Sequence, residues 1–268
     1  MLDARHVLAR ARRELGTVRR TPALHVLVAG VAVVFGAVAY QSRADGYVPT
    51  VVDLLTPAEL LVALLAFAFG YRVLLDDRRS GELAVLETLP PTNASVVVGT
   101  FLGRGAALAV AVAVALAPSL LVAWLTGGSG SVLHATQRGA DSPLLFLRFV
   151  TLTTGFGLSV LAVALAASAV ADRPRGAVAL VAVVWLPLAI AADLGALGLL
   201  AGDLLGPSAV PAVQALSPAS AYRGLVLGTV LDAATGPSVR VGAPLLDAAS
   251  LVGWAVVGLS LAARRLWR

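Results

Sequence analysis

Cysteine and lysine are both absent from the 268 residues, and the one methionine is Met1. Without cysteine there are no disulfides, no thiolate metal sites and no thiol redox chemistry, and without internal methionine there is no thioether ligand for a soft metal. Without lysine there is no Walker A loop, which uses that residue to hold the terminal phosphates of ATP. The chain is therefore not a P-loop ATPase, and Gly127-Gly128-Ser129-Gly130 reads as a flexible loop rather than a phosphate cradle. Histidine is scarce too. His6, His25 and His134 are scattered, and no metal-ligand cluster can be written from them.

Charge is the next thing in short supply: 13% of residues are charged and 59% hydrophobic, against roughly 25% charged in an ordinary soluble domain. The solvent this composition suits is a bilayer. Apolar runs long enough to cross about 30 Å of hydrocarbon, about 20 helical residues each, recur along the chain. The reading is an all-α membrane protein in which residues 1–268 form one transmembrane domain. Its six expected spans are Ala23 to Tyr40, Pro57 to Leu75, Phe101 to Leu125, Pro143 to Val170, Ala177 to Leu200 and Pro244 to Ala263.

All 20 basic residues are arginine, giving a net charge of +5. They flank apolar spans instead of sharing a soluble face with aromatics, so they are topological signals and not a nucleic-acid surface. Fifteen of them fall at the N-terminus, in or at the margins of loops 2–3 and 4–5, and at the C-terminus. By the positive-inside rule, both termini are expected in the cytoplasm, in a multi-pass protein of the cytoplasmic membrane.

Ahead of the first span, Leu8, Ala11, Leu15 and Val18 recur at helical spacing among six arginines, which predicts an amphipathic helix lying in the interface. A signal peptide fits less well, because no small-x-small cleavage site precedes Tyr40. Between spans five and six, the outer loop Ala201 to Ala243 contains the apolar segment Ala219 to Leu231. At 1.5 Å per residue it reaches about 20 Å, so a re-entrant or interfacial helix is expected.

Glu59, Arg72, Arg104, Arg148, Asp193 and Asp247 lie at the expected span margins, where snorkelling accounts for them. Thr151, Gly155 and Ser159, spaced by four, give span four a small, weakly polar face suited to helix packing or to a conduit. Gly99-x-x-x-Gly103 and Gly224-x-x-x-Gly228 carry the same packing signal. Ser159 could suggest an intramembrane serine protease, but no histidine lies in spans four to six to act as its base. A non-transporting membrane scaffold remains an alternative from another class.

The most informative stretch is Arg78-Arg79-Ser80-Gly81-Glu82-Leu83-Ala84-Val85-Leu86-Glu87-Thr88-Leu89-Pro90, followed by Gly99-Thr100-Phe101-Leu102-Gly103. Gly81 lets the chain turn, Leu83 and Leu86 share one face of a short helix, and Pro90-Pro91 stops it. This stretch resembles the ABC-2 permease family, whose loop after the second span reads approximately E-R-x-x-G-T-L-E-x-L-L-x-x-P and leads to G-K-x-L-G. Arg78, Gly81, Leu83, Leu86, Pro90, Gly99, Leu102 and Gly103 match. Glu82, Ala84 and Thr100 depart from it.

The resemblance implies a six-helix type V exporter-like fold and a coupling helix, built on Arg78, Arg79, Gly81, Glu82, Leu83, Leu86 and Pro90, that sits in a groove of a separate cytoplasmic ATPase. It further implies a homodimer in the membrane, with ATP and magnesium held by the ATPase chain and no cofactor in this one. A second segment, Leu216-Ser217-Pro218-Ala219-Ser220-Ala221-Tyr222-Arg223, is similar to the L-N-P-x-D-A-Y-R of NosY-type permeases through Leu216, Pro218, Ala221, Tyr222 and Arg223. That likeness implies a role in nitrous-oxide reductase maturation, beside a NosF-like ATPase and an outer NosD-like protein. Without it, a general exporter of lipids, drugs or other small hydrophobic molecules is the expectation.

Overall fold

The computed structural model describes residues 4–42, 46–80, 93–126, 141–173, 175–176, 179–180, 210–231 and 243–266. The regular elements among them are helices: α1 (Ala4–Arg19), α2 (Pro22–Ser42), α3 (Tyr47–Gly70), α4 (Val73–Arg79), α5 (Asn93–Thr126), α6 (Pro143–Val170), α7 (Val210–Gln214), α8 (Pro218–Val226), which runs on into a π-helical turn at Leu227–Leu231, and α9 (Pro244–Arg265). Five stretches among them, those of α2, α3 with α4, α5, α6 and α9, are long and apolar enough to cross a membrane. The expected fifth span lies outside the described residues apart from Ala179 and Leu180, and so do the Gly81 to Leu89 helix and most of the outer loop.

Local chemistry sets the helix starts. Pro22, Pro143, Pro218 and Pro244 stand at the first position of their helices, where the fixed φ is an advantage and the missing N–H is not felt. Ser142 caps α6, its hydroxyl accepting from Leu144 N at 3.0 Å. Span two begins ten residues before the expected Pro57, at Tyr47. The carboxylate of Asp141, from the turn before α6, accepts from Tyr47 N and Val48 N at 2.8 to 3.0 Å and so caps α3 from another part of the chain. Gly46 precedes it at φ 127°, and a side chain there would collide with Asp141. Pro57 is consequently inside α3, a position that membrane helices tolerate.

The helices pack in a consistent sense. Gly157 of α6 meets Val62 of α3, and Gly70 meets Ala164, so α3 and α6 run the same way. Ser159 donates to the Leu251 carbonyl at 2.8 Å, and Gly258 lies against Ala162 and Val163, so α9 also runs parallel to α6. Gly105 lies against Leu158 and Leu161 while Leu108, further along α5, lies against Gly157, so α5 runs in the opposite sense to α6. Fully buried Phe35, Leu54, Leu65, Leu108, Leu116, Phe149 and Phe156 fill the core between these helices. The two ends of the bundle are called the α1 end and the α8 end below.

At 34 residues α5 is about 51 Å long, more than a bilayer core needs. Helix α1 packs on its first three turns, where Gly99 and Gly103 leave room: a side chain at either would strike the Val7 and Ala11 carbonyls. The face that α1 buries is shifted from the expected one. Ala11 and Val18 point inward as expected, but with Val7, Arg10 and Glu14 beside them, whereas Leu8 is 56% exposed and Leu15 half-buried. Polar partners waiting on α4 and α5 draw the two charged residues in, and the helix is rotated accordingly.

Candidate functional site

Two clusters of polar side chains lie inside the bundle, one at each end. At the α1 end, Arg10 donates to Asp77 of α4, pairs with Glu14 at 3.0 Å, and gives its Nε–H to Thr100 Oγ1 of α5 at 3.0 Å. Glu14 accepts in turn from Arg104 Nε at 2.8 Å, and Arg104 donates to the Phe69 carbonyl in the last turn of α3 at 3.3 Å. The four charged side chains are between 4% and 11% exposed, so two positive and two negative groups balance each other away from bulk water. Buried charges persist only when paired like this, and the pairing joins α1, α3, α4 and α5 at one point.

Helix α4 is fastened at both ends. Arg72, at its N-cap, offers no acceptor, and Ser168 of α6 substitutes by accepting from Leu74 N and Leu75 N at 3.1 Å each. At the other end, Arg78 donates to the carbonyls of Ala169 and, at 3.4 Å, Arg265, in the last turns of α6 and α9, where a cation also suits the negative end of the helix dipole. Arg79 reaches the Asp172 carbonyl at 3.3 Å, and Asn93 ties the start of α5 to the Ala263 carbonyl. Leu74, Val97, Leu165 and Leu266 fill the apolar space beneath. Residue 80 thus leaves the bundle from a platform braced on four helices.

At the α8 end, the Leu216 to Arg223 segment enters the bundle. Ser217 caps α8 through a long 3.5 Å bond from Ser220 N, with Pro218 next to it. Tyr222 is fully buried: its hydroxyl shares a 2.8 Å hydrogen bond with Thr153 of α6, and its ring stacks on Phe156 at 4.7 Å between centroids. Arg223 pairs with Glu59 of α3 at 3.0 Å. Gly224 admits the buried Asp247 of α9, Trp254 Nε1 donates to the Leu216 carbonyl at 3.0 Å, and Arg148 donates to the Thr229 carbonyl in the π-helical turn. Among the described residues no three carboxylate or imidazole groups converge on a metal site.

The model of the family described as "ABC-2 family transporter protein" matches residues 8–268. The chain belongs to the ABC-2 transporter family. Among curated ABC-2 relatives, the chain is 28% identical over 239 residues to the "Probable ABC transporter permease protein NosY" of Pseudomonas aeruginosa strain PAO1, covering 85% of this chain and 83% of that protein. It is also 28% identical over 253 residues to the protein of the same name from Stutzerimonas stutzeri, covering 88% and 86%. The chain is therefore a multi-pass membrane permease of an ABC transporter, similar to NosY permeases.

Of the residues that the ABC-2 resemblance singles out, Arg78 and Arg79 anchor α4, while Gly81, Glu82, Leu83, Leu86 and Pro90 lie outside the described residues. Leu216, Pro218, Tyr222 and Arg223 come together on α8 and its cap. The Thr151, Gly155 and Ser159 stripe is divided: Ser159 is buried against α9, Gly155 is half-buried with open space beside it, and Thr151 is exposed and bonded to its own helix.

Snorkelling holds for Arg72, which is half exposed and paired with Asp76, and Asp193 lies outside the described residues. It holds for Arg148 too, which is exposed while it bonds to the Thr229 carbonyl. It fails for three of the six: Arg104 is buried on Glu14, Glu59 sits midway along α3 on Arg223, and Asp247 is buried against Gly224. The reason is the earlier start of α3 and the intrusion of α1 and α8, which supply partners at depths where water was expected. Arg10, Glu14, Asp77 and Thr153 were not singled out by the sequence. The Arg10 and Glu14 spacing of four on one helix face was the available signal, masked by the arginines around it.

Proposed function

We infer that this permease is the translocating half of a homodimeric ABC-2 transporter in the cytoplasmic membrane, driven by a separate cytoplasmic ATPase that holds ATP and magnesium. The α1 end is the cytoplasmic face and both termini lie there. Six crossings are supported by the parallel course of α6 and α9, since the chain between them has to return from one end of the bundle to the other, and residues 177–200 are the apolar stretch available for it. Helix α8 is a re-entrant helix on the outer side.

The observation that carries this reading is the bracing of α4, with Arg78 bonded to the last turns of α6 and α9 and Asp77 locked to Arg10. The family's coupling segment starts here, so a push from a docked ATPase on residues 81–90 would reach α1, α5, α6 and α9 together and be converted into movement of the bundle. Leu83→Asp with Leu86→Asp is expected to abolish permease-dependent ATPase activity while membrane insertion stays intact. A double variant with full activity that still co-purifies with the ATPase places the coupling site elsewhere.

The likeness to NosY permeases supports a role in assembling the copper–sulfur centre of nitrous-oxide reductase, beside a NosF-like ATPase and an outer NosD-like protein. Chemistry narrows the cargo. A chain with no cysteine or internal methionine offers copper no soft relay, so a sulfur-containing species, or mechanical control of an outer copper-loading partner through the α8 loop, is the better fit. Deleting the gene is expected to leave the reductase exported but lacking its cluster. An active, fully assembled reductase in the deletion strain favours a general exporter of small hydrophobic molecules.

A further inference from the structure

Helix α8 is held unevenly. Its contacts with α6 and α9 are extensive: the Tyr222 to Thr153 bond and Phe156 stack, the Arg148 bond to Thr229, the Trp254 bond to Leu216, and the seats of Gly224 on Asp247 and Gly228 on Pro244. Its contact with α3 is slight by comparison, and an ion pair between Arg223 and Glu59 bridges the two helices. Asp247, meanwhile, is 2% exposed, packs on the residue next to Arg223, and has an Oδ2 with no hydrogen-bond partner. A membrane-embedded acid in that condition marks function by default, and the nearest cation on α8 is Arg223.

We propose that Arg223 is a two-position switch, paired with Glu59 of α3 while α8 is seated and with Asp247 of α9 when α3 and α8 part. The long guanidinium side chain turns from one carboxylate to the other about a backbone that stays with α6 and α9. In the seated state the guanidinium is on Glu59 and Asp247 Oδ2 has no hydrogen-bond partner; in the parted state the guanidinium reaches that Oδ2. Each state leaves one of the two acids without the guanidinium, so neither is locked and small forces from the rest of the cycle select between them. Glu59 lies midway along α3, so its release opens the outer half of the α3 and α8 seam and leaves the Gly70 to Ala164 contact near the α1 end intact.

The switch rests on the permease reading only for its purpose; its test needs neither substrate nor ATPase, so its failure leaves that reading untouched. Because the chain has no cysteine, Ala219→Cys places a single thiol at a fully buried site on α8, one turn before Arg223 and on the same helix face, and Gln41→Cys provides an exposed reference on α2. Labelling with a membrane-impermeant maleimide from the outer side of intact cells then reports the parting. Glu59→Gln is expected to raise the Ala219→Cys labelling rate about tenfold, as when a minor open population grows from about 1% to about 10%. Adding Asp247→Asn to Glu59→Gln is expected to bring the rate back toward that of the parent, and the charge exchange Glu59→Arg with Arg223→Glu to keep it at or below the parent. The Gln41→Cys rate should stay constant throughout. Glu59→Asp, the milder change, gives the same ordering in smaller steps if the glutamine variant is poorly inserted. No increase with either Glu59 variant overturns the latch, and an increase that Asp247→Asn does not reverse overturns the second position.

Discussion

Arg10, Glu14, Asp77 and Arg104 are worth more as a set than as separate ion pairs, because each removed charge strands a buried neighbour. Arg10→Ala leaves Asp77 without its guanidinium, and a cost of about 3–5 kcal/mol is expected, the range for breaking a buried pair. Thermal unfolding in detergent, followed by helical circular dichroism, measures it. Since the cluster is shielded from bulk water, raising salt from 0.1 to 0.5 M, where the Debye length falls well below about 10 Å, should change the loss little. A cycle of Glu14→Gln and Arg104→Gln should return a coupling energy of about 1–3 kcal/mol, whereas the exposed Arg72 and Asp76 pair should return about 0.5 kcal/mol or less.

Among the elements, α1 leans on α5. Helix α1 has no hydrophobic span of its own to hold it, and its place on α5 depends on the gaps at Gly99 and Gly103. Gly103→Leu puts a branched side chain into the Ala11 carbonyl, so α1 is expected to detach while α5 still crosses the membrane. Trypsin added to inside-out vesicles should then cleave at Arg12 or Arg13 many times faster than in the parent. Gly30→Leu on α2 meets open space and should leave the cleavage rate unchanged. Unaltered cleavage in Gly103→Leu would mean that α1 is held by something other than this groove.

For the whole molecule, orientation ties the two polar clusters to their compartments. Cysteines at Ser80, beside the α4 platform, and at Ser129, which follows α5 in the sequence, are expected to label from opposite sides of the membrane. Labelling from the same side removes the assignment of the α1 end to the cytoplasm, and with it the route proposed from ATPase to bundle. In the proposed orientation Glu59, Arg223 and Asp247 lie on the outer side of the α4 platform, so the proposed coupling segment and the proposed switch are separated along helices α3, α6 and α9.

Much of the architecture was legible from composition and spacing, because a bilayer imposes a strong and local demand. An apolar run either spans about 30 Å or does not, and a Ser-Pro pair such as Ser142-Pro143 marks a helix start whatever surrounds it. Span four is legible to the residue for that reason, and so is the packing role of the Gly99 and Gly103 pair. Span two was not: its cap is Asp141, nearly a hundred residues away, and no local signal competes with Pro57 as an apparent start. Partners at that distance also decided the fate of the charged residues. Glu59 and Arg104 look like snorkelling margins in one dimension, and only the folded chain brings Arg223 and Glu14 to them. Sequence by itself determined the membrane, the family and the five apolar helices seen among the described residues, since these depend on neighbours along the chain; the tertiary structure decided which charges are buried together, since pairing depends on neighbours in space.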